Sequence, residues 1–301
     1  MNTNQKIIKY DTEVDKYIKK LGSSKGTLEE TKKHGYEKYS FVLDKLEKFY
    51  HITNYISSKG YELDDNEKIL FTLFSKASLD VWGIYYCLSN GLEVQASILL
   101  RSLFEVLVTV KVILKENTLE RLRLYTNYSH IERWNHIKLH KEMSGKGYSN
   151  KISFEQSEID NIIDNFNKYK TDYHPQKPIH WAYKEFRKNP TMKDLCEYLG
   201  DEFVNNYIFI FGTGSKFVHV SPILEGHFTH YQNEKRLIVN SFKFTDSTIN
   251  VSCLAMNICC EVITEILNFL KVQDYEDTNL YIRFFTDQIV HIGHNYLEQN
   301  S

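Results

Sequence analysis

All four prolines of this 301-residue chain lie within one quarter of its length. They are Pro175, Pro178, Pro190 and Pro222. Proline is the residue that most strongly breaks the interior of a helix, so the first 174 residues contain no obligate helix breaker. This half of the chain is therefore expected to form long helices.

Capping residues and apolar periodicity divide the chain into eight or nine predicted helices. Their predicted ranges are 27–57, 64 or 65 to 89, 93–115, 118–143, 155–170, 191–199, 202–220, 247–271 and 278–297. Asp64 or Asp65 and Thr118 are the expected N-caps of two of them. The proline-bearing segment 173–190 is predicted to be an irregular connection anchored by Trp181. Residues 236–244 are predicted to form a small β-hairpin or an extended arm.

The fold class expected from this pattern is all-α, with one multi-helix domain over residues 27–301 and an N-terminal arm over 1–26. The content of hydrophobic residues, 42%, and of charged residues, 25%, is typical of globular proteins. A chain of this length buries most of the surface that it exposes when unfolded. No metal or disulfide is needed to stabilise its core.

Charge and cysteine content limit the classes of function. The net charge is −2, so the chain as a whole is neither a polycation for nucleic acid nor a basic membrane binder, and any such binding must be local. The cysteine count is odd, without a CxxC motif, which favours free thiols in a reducing compartment. The cysteines are Cys87, Cys196, Cys253, Cys259 and Cys260.

Two further observations favour a cytoplasmic protein without a membrane span. The first ten residues are polar and carry lysine, unlike a signal peptide. The longest apolar stretch, 94–114, is interrupted by Arg101, Glu105 and Lys111, which indicates a buried core helix.

Arg101 and Glu105 are the first candidate site residues. They are four residues apart on the most apolar predicted helix, so they share one face. An unpaired buried charge costs several kcal/mol, which predicts that each has a partner. Three interpretations remain open: a structural ion pair that fixes the helix register, a pocket in which Arg101 binds an anion and Glu105 orients a partner, or exposure of the pair at the surface.

Ser215 and His219 form the second candidate. If the segment is helical, Tyr207, Phe211, Ser215 and His219 line one side of it, with the hydroxyl one turn before the imidazole. This pair could transfer protons. A core histidine that hydrogen-bonds to a helix carbonyl would show the same pattern.

Four basic residues on one predicted helix form the third candidate. Arg123, His130, Arg133 and His140 fall within a sector of roughly 100°, at 100° per residue. Such a stripe predicts an RNA-phosphate contact face, or a solvated face without a ligand.

Metal and nucleotide motifs are weak or absent in the sequence. The pairs His227/His230 and His291/His294 have no carboxylate in a Glu-x-x-His pattern, and His136/His140 lacks the glutamate of HExxH. There is no Walker loop, GxGxxG or GxSxG motif. We therefore expect neither a metal nor a cofactor.

Two short motifs carry a family resemblance. Residues 96–105 (ASILLRSLFE) are followed about 110 residues later by 215–222 (SKFVHVSP). Together they resemble DUF5677, a bacterial family of unknown function, over residues 64–271. The resemblance implies an all-helical fold with Arg101, Glu105, Ser215 and His219 in one site, and it implies no established reaction.

The Val218-His219 segment also resembles the distal half of the signature of HEPN ribonucleases. In that signature an arginine precedes the histidine on the same helix, whereas Ser215 stands four residues before His219 and residues 212–218 contain no arginine. The resemblance holds for catalysis only if Arg101 takes the phosphate-binding role from another helix. His219 would then act as general acid or base while the 2′-hydroxyl of RNA attacks the phosphate.

The sequence therefore leads to two hypotheses about function. The first is a HEPN-like effector that acts on RNA as a metal-independent ribonuclease, in bacterial stress or phage defence by analogy with HEPN proteins, and forms a homodimer. The second is a non-enzymatic helical interaction or ligand-sensing module whose polar cluster is structural.

Overall fold

The computed structural model of the protein describes most of the chain. The described residues are 12, 16, 25–59, 61–64, 67–146, 155–173, 180–212, 229–233, 236–239, 244–271 and 275–300. Nearly all of the predicted N-terminal arm lies outside them, so the boundary at residue 26 stays a prediction.

The described residues form ten α-helices and one short hairpin, which confirms the predicted all-α single-domain fold. The helices are α1 Lys25–Ser57, α2 Glu67–Ser89, α3 Glu93–Lys115, α4 Thr118–Gly145, α5 Gln156–Tyr169, α6 Tyr183–Phe186, α7 Met192–Leu199, α8 Asp201–Asn206, α9 Ser247–Leu270 and α10 Tyr275–Asn300. A 3₁₀ turn, Lys170–Asp172, follows α5, and a π-helical turn, Tyr207–Phe211, follows α8.

The hairpin lies earlier in the chain than predicted. Strands β1 (Thr229–Asn233) and β2 (Arg236–Val239) pair antiparallel, with His230 opposite Ile238. Of the predicted range 236–244, residues 236–239 form the second strand, and residues 240–243 lie outside the described residues. The predicted helix 202–220 is also interrupted, since α8 ends at Asn206 and passes into the π turn, and residues 213–220 lie outside the described residues.

One of the two expected helix caps is present and the other is not. The Asp64 carboxylate accepts a hydrogen bond from the backbone N–H of Glu67 at 2.8 Å, and the Glu67 side chain accepts one from the backbone N–H of Asp64 at 2.9 Å, a reciprocal capping box. The expected cap at Thr118 is wrong. Asn117 is the N-cap, with a left-handed φ of 49°, and the Thr118 hydroxyl donates instead to the Leu114 carbonyl at 3.4 Å.

The core lies where α3 packs against α2 and α9, with α1 and α10 on the outside. Gly83 marks the close approach of α2 to α3, because a Cβ at this position would lie 2.8 Å from a methyl carbon of Leu99. Trp181, the expected anchor of the 173–190 connection, is buried against this core.

Helix α9 is the most apolar element. By length and composition it is the one described helix that could cross a membrane, although 56% of its most apolar window is buried inside the structure. Core helices of soluble proteins meet the same criterion. Since its apolar face packs on α2, α3 and α10, it does not need a second chain to cover it.

Candidate functional site

Arg101 and Glu105 lie on one face of α3, as their spacing predicts. Arg101 Nε donates to Glu105 Oε1 at 3.3 Å. The Arg101 side chain is 19% exposed, but that of Glu105 is 42% exposed. The pair therefore sits at the edge of the core with its carboxylate open to water, and not inside the core.

The other side of the Arg101 guanidinium faces an aromatic ring. Its central carbon, Cζ, lies 3.9 Å from the ring centroid of Phe211, close enough for a cation–π interaction. Phe211 ends the π-helical turn and stacks on Tyr207, with ring centroids 5.0 Å apart. Helix α3 and the π turn are thus joined at Arg101.

Ser215 and His219 lie outside the described residues. The description is interrupted after Gly212, the residue that follows Phe211, and resumes at residue 229. The structure brings together two of the four predicted catalytic residues, Arg101 and Glu105. That Ser215 and His219 lie in the same site stays a prediction.

The first residue of the basic stripe on α4 is neutralised by acids. Arg123 forms ion pairs with Glu120 at 2.7 Å and with Asp172 at 2.8 Å. Lys184 reaches the same two carboxylates. Hydrogen bonds from Arg123 and Lys184 lower the pKa of Glu120 to about 2, so the acid stays charged and these basic groups are balanced locally.

The two histidines of the stripe have aromatic neighbours. The His130 ring stacks on Tyr169 with centroids 5.2 Å apart, and burial together with the Arg133 and Lys168 charges lowers its pKa below the usual 6.5. His140 Nε2 lies 3.1 Å from His136 Nε2. Arg133 is the member of the stripe that is both permanently charged and exposed.

A buried arginine that sequence reasoning missed lies two residues before Arg123, on the other side of α4. The side chain of Arg121 is 1% exposed and bonds Glu185 Oε1 at 2.6 Å, Glu116 Oε1 at 3.2 Å and the Tyr198 hydroxyl at 2.7 Å. It also donates to a backbone carbonyl of α3. The signal was present in the sequence, because Arg121 precedes Tyr125 by four residues and so lies on the apolar side of α4.

The Arg121 cluster is structural in character. It ties α6, through Glu185, and α7, through Tyr198, to the junction of α3 and α4. All of its charges have partners, and neither of the two cavities described below is lined by Arg121, Glu185 or Tyr198. It explains how the short helices after residue 180 are held.

Two cavities lie next to α3. The smaller, about 220 Å³, lies between α3, the π turn and the start of α9. The larger, about 490 Å³, lies between α3, α8, α9 and α10. The larger has a mixed polar wall that includes Glu202, Asn257, Glu261, Arg283 and Asp287.

Thiol and metal chemistry have little support in the part of the chain that the structure describes. All five cysteines are free thiols, and burial raises the pKa of each, for Cys253 to about 11 and for Cys196 to about 12. These thiols are poor nucleophiles at neutral pH. No group of three or more metal-ligating side chains occurs among the described residues.

Comparison with known proteins gives one family. No curated protein and no solved structure matches the chain. A family model described as a family of unknown function, DUF5677, matches residues 67–235, a range that includes Arg101, Glu105, Ser215 and His219. Since this match covers more than half of the sequence, the chain belongs to the DUF5677 family.

Proposed function

We propose that the protein is a HEPN-like, metal-independent ribonuclease whose arginine comes from α3. The observation that carries the proposal is the 3.9 Å contact between Arg101 and Phe211. A HEPN-type site needs a guanidinium beside its histidine, and the segment before His219 has no arginine. The contact supports Arg101 as the substitute, because Phe211 comes four residues before Ser215 in the chain.

The proposed reaction uses the RNA's own hydroxyl as nucleophile. His219 accepts the proton of the 2′-hydroxyl as the 2′-oxygen bonds to phosphorus. The bond from phosphorus to the 5′-oxygen breaks, and that oxygen takes up a proton. The products are a 2′,3′-cyclic phosphate and a 5′-hydroxyl end.

Arg101 contributes charge in this scheme. The planar fork of a guanidinium matches phosphate oxygens, and it stabilises the negative charge that develops on them during attack. Glu105 accepts from Nε and fixes the plane of the fork, while the Phe211 ring covers one face of it. Ser215 would bond the phosphate or the histidine.

Cleavage of a labelled single-stranded RNA by the full chain in EDTA tests the proposal. We expect products with 2′,3′-cyclic phosphate ends and no cleavage of the 2′-deoxy strand. His219→Ala and Arg101→Ala should abolish cleavage. The matched controls His34→Ala, at a site 86% exposed, and Arg187→Ala, at an exposed loop site, should keep it. Cleavage that needs a metal, or that survives His219→Ala, would contradict the proposal.

Three accompanying expectations go with this proposal. Arg133 would guide RNA along α4 together with His130 and His140, whereas Arg123, expected on the same face, is already paired with Glu120 and Asp172. Arg133→Glu should weaken RNA binding and lower its salt dependence. The cytoplasmic location and the bacterial stress or phage-defence role stay expectations from the sequence. The homodimer is expected from the HEPN resemblance, and light scattering at micromolar concentration tests it.

The second candidate function is a ligand-sensing helical module without catalysis. The cavity of about 490 Å³ favours it, because its volume is that of a small-molecule site and its wall mixes apolar and polar groups. Glu202, Glu261 and Asp287 line this cavity with one arginine, Arg283. Lys111 pairs with Glu261 at 2.6 Å, so two carboxylates remain beside one guanidinium, which favours a ligand rich in hydrogen-bond donors. A thermal-shift screen of amines on the ribonuclease-dead His219→Ala variant would separate this function from catalysis.

A further inference from the structure

The smaller cavity beside α3 has the lining residues and the volume of a binding site for a single ring. The apolar residues that line it are Leu100, Phe209, Ile210, Val251 and Leu254. At about 30 Å³ per water molecule, its volume of about 220 Å³ equals that of about seven waters. This is below the usual range for whole drug-sized ligands, and it suits a single ring system.

The polar part of the wall can bond the edge of such a ring. Ser97, Asp246, Ser247 and Asn250 line it. Asp246 Oδ1 already accepts from the Tyr39 hydroxyl at 2.8 Å, which fixes the orientation of the carboxylate. Within the described part of the chain, the Asn250 side-chain amide makes no hydrogen bond, so it can both donate to and accept from a ligand.

Phe209 is placed as a stacking residue. It is 61% exposed although it is a large apolar side chain, and it belongs to the π-helical turn. Single π turns occur frequently at functional sites. An exposed aromatic ring in the lining of a small cavity provides a stacking face for a base.

Arg101 lies beside this cavity. Ser97, which lines the cavity, precedes Arg101 by four residues on α3, so the two side chains are neighbours on one helix face. On the π turn, Ile210 and Phe209 line the cavity while Phe211 contacts the guanidinium. A ligand with a ring in the cavity would thus hold an attached anion near Arg101.

We infer that this cavity binds a nucleobase whose phosphate lies at Arg101. The carboxylate of Asp246 disfavours a phosphate inside the cavity and favours the amino and ring N–H groups of a base. The base can come from a free nucleotide or from an unpaired position of RNA. The second source deepens the proposed function and rests on it, whereas the first does not.

The experiment compares ligands with and without a base on the full chain. Titration calorimetry measures binding of the four ribonucleoside 5′-monophosphates and of ribose 5-phosphate. Fluorescence anisotropy measures binding of a labelled single-stranded RNA with 2′-O-methyl groups, which block cleavage, and of its duplex. We expect the nucleotides to bind at least about 10-fold more tightly than ribose 5-phosphate, and the single strand more tightly than the duplex.

Three variants separate stacking from folding. Phe209→Ala should weaken binding of the nucleotides and the single strand by about 5-fold to about 100-fold, and Phe209→Tyr should restore it. Asn250→Ala should change the order of preference among the four bases. The matched control Phe284→Ala, at a site 59% exposed on α10, should bind within about 2-fold of the natural chain.

The outcomes distinguish this inference from the ribonuclease proposal. Nucleotide binding that depends on Phe209, in a chain that cleaves no RNA, supports the cavity and refutes the ribonuclease. Cleavage that depends on His219, with Phe209→Ala binding like Phe284→Ala, supports the ribonuclease and refutes the cavity. Equal binding of ribose 5-phosphate and nucleotides, or no binding of any of these ligands, also overturns the inference.

Discussion

The guanidinium carbon of Arg101 lies 3.9 Å from the ring centroid of Phe211, a residue 110 positions later in the sequence. A cation–π contact of this kind contributes about 0.5–1 kcal/mol at exposed sites and about 2 kcal/mol where water is excluded. The partly exposed ion pair with Glu105 adds about 0.2–1 kcal/mol. These energies are small for the whole fold, but together they fix the direction of one charged group.

The first prediction concerns this orientation. Arg101→Lys keeps the charge but loses the planar fork, so we expect RNA cleavage to fall at least about 100-fold while the free energy of unfolding falls by about 1 kcal/mol or less. Chemical denaturation and cleavage rates measure the two effects. In a double-mutant cycle of Arg101→Ala with Phe211→Leu, in which the cation is removed, the coupling should be about 0.5–2 kcal/mol. A coupling of zero would contradict the contact.

The second prediction compares two arginines on the same helix. Arg121→Ala should lower the free energy of unfolding by about 3–5 kcal/mol, because it leaves Glu185 partly buried without its cation. Arg123→Ala should cost about 1 kcal/mol or less, since that side chain is 38% exposed and its partners can be hydrated. Urea unfolding measures both. Equal losses would contradict the distinction between a buried and a surface network.

The bounds of α3 could be predicted from the sequence, but the N-cap of α4 could not. The bounds of α3, 93–115, were predicted without error, because the Asn90-Gly91 turn before it and an unbroken apolar pattern define the helix locally. The predicted cap at Thr118 is wrong, because Asn117, the residue before it, is the N-cap and has a left-handed backbone conformation. Local pattern gives the elements and their faces, but a choice between two adjacent polar residues depends on backbone geometry.

Contacts between segments that are distant in the sequence could not be predicted. Arg101 and Glu105 were recognised as a pair because they are one helical turn apart. The Phe211 ring above Arg101 and the carboxylate of Glu185 beside Arg121 come from segments more than 60 residues away, and no periodicity in the sequence links them. Packing of the whole chain determines these partners.

The third prediction is a pH dependence of stability centred on His180. Its Nδ1 accepts a hydrogen bond from the backbone N–H of Ala182 at 3.1 Å, and burial lowers its pKa to about 4. In the unfolded chain His180 takes up a proton as the pH falls below its ordinary pKa of 6.5, whereas in the folded chain it stays neutral down to about pH 4. Stability should therefore fall as the pH falls from 6.5 towards 4.

The matched variant for this test is His180→Asn. The asparagine side-chain oxygen can accept the same bond from a backbone N–H two residues later, and it does not titrate. Melting temperatures measured from pH 7 to pH 4.5 should fall more for the natural chain than for the variant. Parallel curves would show that His180 is not the titrating group.

The fourth prediction concerns the thiols. Because no cysteine is bridged, titration with a thiol reagent in denaturant without reductant should find five thiols. In the native protein the reaction should be slow for Cys259, which is fully buried, and faster for Cys87, which is partly exposed. Fewer than five thiols would indicate a disulfide and an oxidising compartment.

The fifth prediction tests how closely α9 and α10 pack. A Cβ at Gly293 would lie 2.8 Å from Cys253 Sγ and 3.0 Å from a methyl carbon of Ile249, so Gly293→Ala must push the two helices apart. Overpacking of this kind costs about 1–3 kcal/mol. We expect thermal unfolding to show that loss, and the Cys253 thiol to react faster in the native protein.

Two further variants test whether contact with Cys253 causes the loss of stability in Gly293→Ala. Gly145→Ala is the control, because nothing lies within 4 Å of a Cβ there and alanine is the better helix former, so this change should be neutral or slightly stabilising. Adding Cys253→Ala to Gly293→Ala removes the nearest atom and should restore part of the loss, whereas Cys253→Ala alone leaves a cavity and should cost stability. Since the two residues are in direct contact, their effects must be non-additive. Additive losses would show that the helices do not meet at Gly293.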